Sequence, residues 1–140
     1  MYGYIGKILR INLTSRKHSI EPVREDWLRL FLGGRGMGTR VYMEEAAAGI
    51  DPLSEANKIV LMTGPMVGTG SLSAASSYVV TKSSLTGTIA CAKTRGHFGA
   101  ELKFAGYDGV IVEGAAESPV VLCIVDDKVF LQPALHLWGR

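Results

Sequence analysis

The chain has 140 residues and a mass of 15.0 kDa, one domain's worth of sequence and enough to bury a core without disulfides or metals. Apolar residues make up 47% and charged residues 20%, which excludes an intrinsically disordered chain. A net charge of +2 is too balanced to argue for nucleic acid or an anionic membrane as partner.

Residues 5–13 predict a strand in which Leu9, Ile11 and Leu13 alternate with Arg10 and Asn12, although Ile8 interrupts the pattern. Thr14-Ser15-Arg16-Lys17 predicts a hairpin turn, and residues 18–23 the return strand. A short helix is expected over 25–32, with Glu25 and Asp26 in its first turn and Trp27, Leu30 and Phe31 as its buried face. Gly33-Gly34 should end it. A second helix is expected over 37–48, with an Arg40–Glu44 pair on its surface and Gly49 as its stop. Asp51-Pro52 opens a loop, and 58–62 predicts a strand followed by a glycine-rich stretch (64–70) and a small, hydroxyl-rich one (71–77). Strands are expected at 78–82 and 88–92, then a helix over 97–105 with Phe98 and Leu102 on one face and Gly106 as cap. Strands at 109–113, 120–125 and 128–131 complete the series, the last two joined by Asp126-Asp127. Strands mixed with few short helices give an α+β class built on mixed sheets, with no linker, low-complexity tract or internal repeat.

Glycine accounts for 17 residues without a G-X-Y period, which points to tight turns and close backbone approaches. The first 40 residues carry eight basic and three acidic groups, spaced as on a solvated face. Cys91 and Cys123 lie in apolar runs, outside any CxxC pair or metal-ligand spacing, and are expected to be buried, inert thiols. No signal peptide is expected at the start and no apolar run reaches the ~18 residues of a membrane span; the expectation is a cytoplasmic protein. Trp138 should either dock on the core or lie in the middle of a longer protein.

Among residues able to carry chemistry, the segment 91–99 stands first. A strand ends there, Gly96 allows close approach, a helix begins, and Lys93 and Arg95 add two cations beside the free amides of that helix. The functional reading is an anion or phosphate site; an ordinary solvated turn is the plainer reading and the favoured one on spacing alone. The stretches 64–70 and 71–77 offer a flat small-residue surface, yet they lack a Walker pattern. Gly33 to Gly38 fails as a dinucleotide fingerprint, because Thr39 stands where the last glycine belongs and a helix precedes it; a helix–helix turn is expected, with Arg35 as an anion contact. His97 titrates in the useful range but stands alone, as do His18 and His136. Glu101 and Lys103, two apart on a helix, do not face each other. No Ser-His-Asp order, paired carboxylate site or metal cluster is legible.

Several runs together resemble the aldehyde:ferredoxin oxidoreductases. They are Met1-Tyr2-Gly3, Lys7 to Thr14, Leu32-Gly33-Gly34-Arg35-Gly36, Asp51-Pro52-Leu53-Ser54 and Asn57-Lys58, then Thr63-Gly64-Pro65 with Gly68-Thr69. Val80-Thr81-Lys82-Ser83 with Leu85-Thr86-Gly87 follows, then Phe98 to Asp108, the most specific match, and Leu137-Trp138-Gly139. The resemblance runs in order over the whole chain. It implies the N-terminal α+β platform of a tungsten- or molybdenum-bis-pterin enzyme that oxidises aldehydes to acids. Magnesium bridges the pterin phosphates in that family, and a [4Fe-4S] cluster held by later domains passes electrons on. Ferredoxin or an electron-transfer subunit is then the expected redox partner, and a homodimer one expected assembly. Members are several times longer, so residues 1–140 are expected to be an incomplete pterin-binding domain, truncated on its C-terminal side and inactive alone, with no catalytic residue of its own.

The departures from the family pattern define the expected site. The family commonly has arginine, contacting a pterin phosphate, where Ser76 stands, and Asn-x-Gly-Gly where this chain has Lys93-Thr94-Arg95-Gly96. The asparagine offers its main-chain carbonyl to magnesium, a role Lys93 can keep because every residue has one. The resemblance thus implies Ser76, Lys93, Arg95 and Gly96 as cofactor-binding positions, with Lys93 also at the metal. One positive charge is lost at Ser76 and up to two are gained at Lys93 and Arg95. A compensating anion site is one reading and a degenerate paralogue without cofactor is its rival; for the chain as a whole, the alternative to a cofactor-binding portion of the enzyme is a non-catalytic binding or assembly module derived from the same platform.

Overall fold

Three apolar runs become the central strands of one mixed sheet. In the computed structural model, which describes residues 2–126 and 128–139, these are β1 (Lys7–Asn12), β3 (Lys58–Met62) and β6 (Gly109–Glu113). With β2 (Lys17–Pro22), β4 (Ser77–Lys82) and β5 (Ile89–Thr94) they form a six-stranded sheet in the order β2-β1-β6-β3-β4-β5. Only the β1–β6 pairing is parallel. β7 (Val120–Val125) and β8 (Lys128–Pro133) make a separate two-stranded hairpin. Three α-helices and a short 3-10 turn (Leu135–Leu137) accompany the strands among the described residues: α1 (Glu25–Phe31), α2 (Gly34–Glu45) and α3 (Phe98–Phe104). The α+β expectation with mixed sheets and few helices is therefore the observed architecture.

Both faces of the sheet are covered at its centre, which explains why Ile8 breaks the alternation of β1. Ile8 joins Val60, Met62, Val80 and Ile111 on the face that receives Met37, Val41 and Tyr42 of α2 and Leu28 of α1. Leu9, Ile11 and Val110 point the other way, onto Leu102 of α3 and, at the periphery, Leu122 and Ile124 of β7. A strand buried on both sides reads as a continuous apolar run. The expected phase of α1 is corrected by the same geometry. Leu28 is the residue it buries, Trp27 and Phe31 are half-buried, and Leu30 is 73% exposed.

α2 starts three residues earlier than its sequence suggests and stops at Glu45, ahead of Gly49. The glycines that read as a helix–helix turn lie inside the helix because α2 rests directly on the sheet. A Cβ on Gly38 would meet Val80 Cγ2 at 2.9 Å, and one on Gly34 would meet Tyr78 Cδ2 at 3.0 Å. β5 also departs from expectation, running two residues further, through Lys93 and Thr94, which pair with Tyr78 and Ser77. The Asp126-Asp127 turn is described only at Asp126, whose φ of 53° lies in the left-handed region; Asp127 is outside the described residues.

Two polar knots fasten the layers. Arg10 is not a solvated cation: it reaches Glu21 of β2, Glu45 of α2 and Glu113 of β6 at 2.5–3.1 Å. Lys58 joins the same carboxylates, at 2.5 Å from Glu113 and 3.3 Å from Glu45. Arg10 has its pKa raised by its hydrogen bonds to Glu45 and Glu21. Burial pushes Glu45 up, but Arg10 and Lys58 outweigh it and hold the carboxyl below its ordinary value. The hydrogen bond from Lys58 does the same for Glu113. In the second knot Lys103 Nζ lies 2.5 Å from Asp108 Oδ1, both side chains almost fully buried. Asp108 accepts the Ile5 and Gly6 amides at 3.2 and 2.6 Å, and Lys103 also donates to the Gly3 carbonyl at 2.7 Å.

Candidate functional site

The segments singled out for glycine, hydroxyl groups and cations converge at one end of the sheet. β3 leaves the sheet at Met62, β4 enters at Ser77, and β5 leaves at Thr94. The starts of α2 and α3 lie at the same end. Gly34 at the head of α2 donates its amide to the Thr63 carbonyl at 2.8 Å. Gly99 in the first turn of α3 packs closely on Val67 and Ser77, which an added Cβ would meet at 3.3 and 3.4 Å. The Ser77 and Thr94 hydroxyls are 2.7 Å apart across the β4–β5 ladder.

On this end Ser73, Ala75, Ser76, Lys93 and Arg95 line a small cleft of about 190 Å³. Ser76 is half-buried; Lys93 and Arg95 are exposed. The lining carries two cations and two hydroxyls and no carboxylate. Among the described residues neither Lys93 nor Arg95 has an ion-pair partner. Three of the four positions expected to bind the cofactor thus share one wall. The fourth, Gly96, follows Arg95 with φ +107°, a backbone that side chains rarely adopt, and turns the chain into α3.

The backbone of Lys93 is also free to act. Ser83 donates its amide to Thr88 at 2.8 Å, which fixes the alternation of the β4–β5 ladder. Counting along the register, Tyr78 and Lys93 form a non-hydrogen-bonded pair, so the Lys93 N–H and C=O point away from β4. β5 is the last strand of the sheet, and that carbonyl therefore faces its open edge. Such a site can hold a multiply charged oxyanion through Lys93, Arg95 and the hydroxyls, with a main-chain oxygen beside it for a hard cation.

The other candidates resolve differently. The glycine run 33–38 serves close helix–sheet packing, and Arg35 within it is exposed. His97 caps α3 without a side-chain hydrogen bond, and His18 and His136 are exposed. Cys91 is not buried as expected: β5 is an edge strand and α2 does not extend over it, so the thiol is exposed, while Cys123 is half-buried. Trp138 does not dock on the core and is 76% exposed. No group of three metal-ligating side chains occurs among the described residues, and no helix of theirs is long and apolar enough to cross a membrane. Ser73 and Ala75 belong to the hydroxyl-rich stretch 71–77 that the sequence pointed to, whereas Tyr78 carries no such signal; the pairing that places it beside Lys93 depends on the two extra residues of β5.

Residues 8–140 match the family described as aldehyde ferredoxin oxidoreductase, N-terminal domain. The chain is 45% identical over 140 residues to the tungsten-containing aldehyde ferredoxin oxidoreductase of Pyrococcus abyssi and 42% identical to that of Pyrococcus furiosus. It covers 23% of each of these proteins, so it spans about a quarter of the length of the curated relatives it matches. It is 39% identical over 142 residues to the aliphatic sulfonate oxidoreductase, WOR-like subunit, of Pyrococcus furiosus, covering 22% of it. Among solved structures, the active site complex BamBC of benzoyl coenzyme A reductase superposes with a TM-score of 0.95 at 30% identity, over 99% of this chain and 21% of that one.

Proposed function

The chain belongs to the aldehyde ferredoxin oxidoreductase family as its N-terminal domain, and from that premise we propose that it cradles a tungsten-pterin cofactor by its phosphates. The observation that carries this reading is the cleft of Ser76, Lys93 and Arg95, whose lining holds donors and cations and no carboxylate. That donor set fits a phosphate-bearing group. Arg95 and Lys93 bind the phosphate oxygens, Ser76 donates its hydroxyl, and the outward carbonyl of Lys93 is the ligand offered to a magnesium ion. When bound, the tungsten-pterin supplies the two-electron redox chemistry. The residues of this chain orient it and neutralise its phosphate charge.

Residues 1–140 are in this reading the incomplete pterin-binding portion of a longer cytoplasmic enzyme that oxidises aldehydes to carboxylic acids. A [4Fe-4S] cluster and ferredoxin take the electrons, and the domains that hold the cluster and the acid–base groups lie outside these residues. The named relatives act on different substrates while sharing this domain, which supports a common cofactor cradle here and a substrate pocket elsewhere. The test is the tungsten and pterin content per chain after production in a tungsten-supplemented host that makes the cofactor. Lys93→Ala with Arg95→Ala should lower retention at least tenfold. Installing the family residues (Ser76→Arg, Lys93→Asn and Arg95→Gly together) should not raise it. A rise, or full retention in the double alanine variant, overturns the reading.

A further inference from the structure

We propose that Tyr78 is a positioning residue that holds the Lys93 ammonium at the wall of the anion cleft; this rests on the anion-binding reading above. Lys93 is an exposed side chain with no ion-pair partner among the described residues, so by itself it would sample many rotamers. Tyr78 stands directly opposite it in a non-hydrogen-bonded pair, the arrangement that brings cross-strand side chains closest. Lys93 Nζ lies 5.9 Å from the centre of the Tyr78 ring, within the range of a cation–π contact.

The ring also packs against the start of a helix. It abuts Gly34, the first residue of α2, where an added Cβ would come within 3.0 Å of Cδ2 and where φ is +52°. The amide of that glycine is bonded to Thr63. The ring thus touches both the helix start and the lysine, and the helix start is the fixed member of the three. Arg95 lies beyond the strand and has no aromatic ring against it among the described residues. Tyr78 thus pre-orders one of the two cations, which lowers the entropy lost on binding the anion.

The test uses the full chain with inorganic phosphate as probe. In the ligand-free wild type, the Lys93 ε-methylene protons should show an upfield ring-current shift by NMR. Tyr78→Phe should keep that shift and the phosphate affinity. Tyr78→Leu should abolish the shift and weaken phosphate about two- to fivefold, the range of an exposed cation–π contact. In a Lys93→Ala background Tyr78→Leu should cause no further loss. Wild-type affinity in Tyr78→Leu, or an undiminished loss in the Lys93→Ala background, overturns the proposal. A missing ring-current shift in the wild type overturns it without any variant having to fold. A wild type that shows the shift but binds no phosphate overturns the anion reading instead, and with it the purpose assigned to the contact.

Discussion

Asp108→Asn changes one buried atom's chemistry and almost nothing of its shape. The native carboxylate receives three donors: the Ile5 and Gly6 amides and Lys103 Nζ. An asparagine carbonyl offers two lone pairs, and its amide group brings two more donors into a site already full of them. With its carbonyl in the place of Oδ1, asparagine turns an amide donor toward the Gly6 N–H, and Lys103 remains a charge without a counter-charge in a site where its side chain is 7% exposed. Removing one partner of a buried pair costs about 3–5 kcal/mol. We expect Asp108→Asn to lower the unfolding free energy of the chain by that amount at pH 7, measured by urea denaturation followed by circular dichroism. Lys103→Met should cost somewhat less, because the carboxylate retains its two amide donors. The double variant should recover at least about 2 kcal/mol of the summed loss, since neither charge is then stranded. A cost below about 1 kcal/mol for Asp108→Asn, or strict additivity in the cycle, would refute the idea that the pair is desolvated and interdependent.

Further outcomes follow from the ion network and from the phase of α1. Glu45 and Glu113 sit below their ordinary values in the folded chain, so the stability they contribute is fully present above the unfolded carboxyl pKa of about 4.5 and lost as pH falls through their folded values. Arg10→Met should cost about 2 kcal/mol at pH 7, a discounted figure because the network is partly exposed, and should flatten the loss of stability below pH 4.5; a loss that stays as steep as in the wild type in urea titrations at several pH values would show that Arg10 does not hold these carboxyls. Leu28→Ala should cost about 2–4 kcal/mol and Leu30→Ala less than about 0.5 by thermal denaturation, since Leu28 is 5% and Leu30 73% exposed; equal costs would contradict the packing of α1.

Much of this was legible from residues alone. The apolar runs of β1, β3 and β6, the β1–β2 turn and the helix that begins near Phe98 announce themselves by period and punctuation. What was not legible depended on partners far away in the chain. Gly34 and Gly38 look like helix breakers until Tyr78 and Val80 are seen pressing on them. Leu30 looks as apolar as Leu28, and only the position of the sheet decides which turns inward. The cleft followed the same rule. Ser76, Lys93 and Arg95 could be named from the resemblance, but their shared wall arises from the β4–β5 register. Lys93-Thr94 is polar and read as the end of a strand, so that register was invisible beforehand.

The Asp108 knot and the β1–β6 pairing carry a consequence for the order of folding. β1 is made early, yet its parallel partner is residues 109–113, and the amide of Gly6 finds its acceptor 102 positions later. Local hairpins and α2 can form as soon as they are synthesised, but the centre of the sheet cannot close before Glu113 is available. A chain still being made must therefore wait with the sheet-facing sides of β1 and β3 uncovered. Folding should begin in pieces and lock late, in a step that seats β6 between β1 and β3 at once.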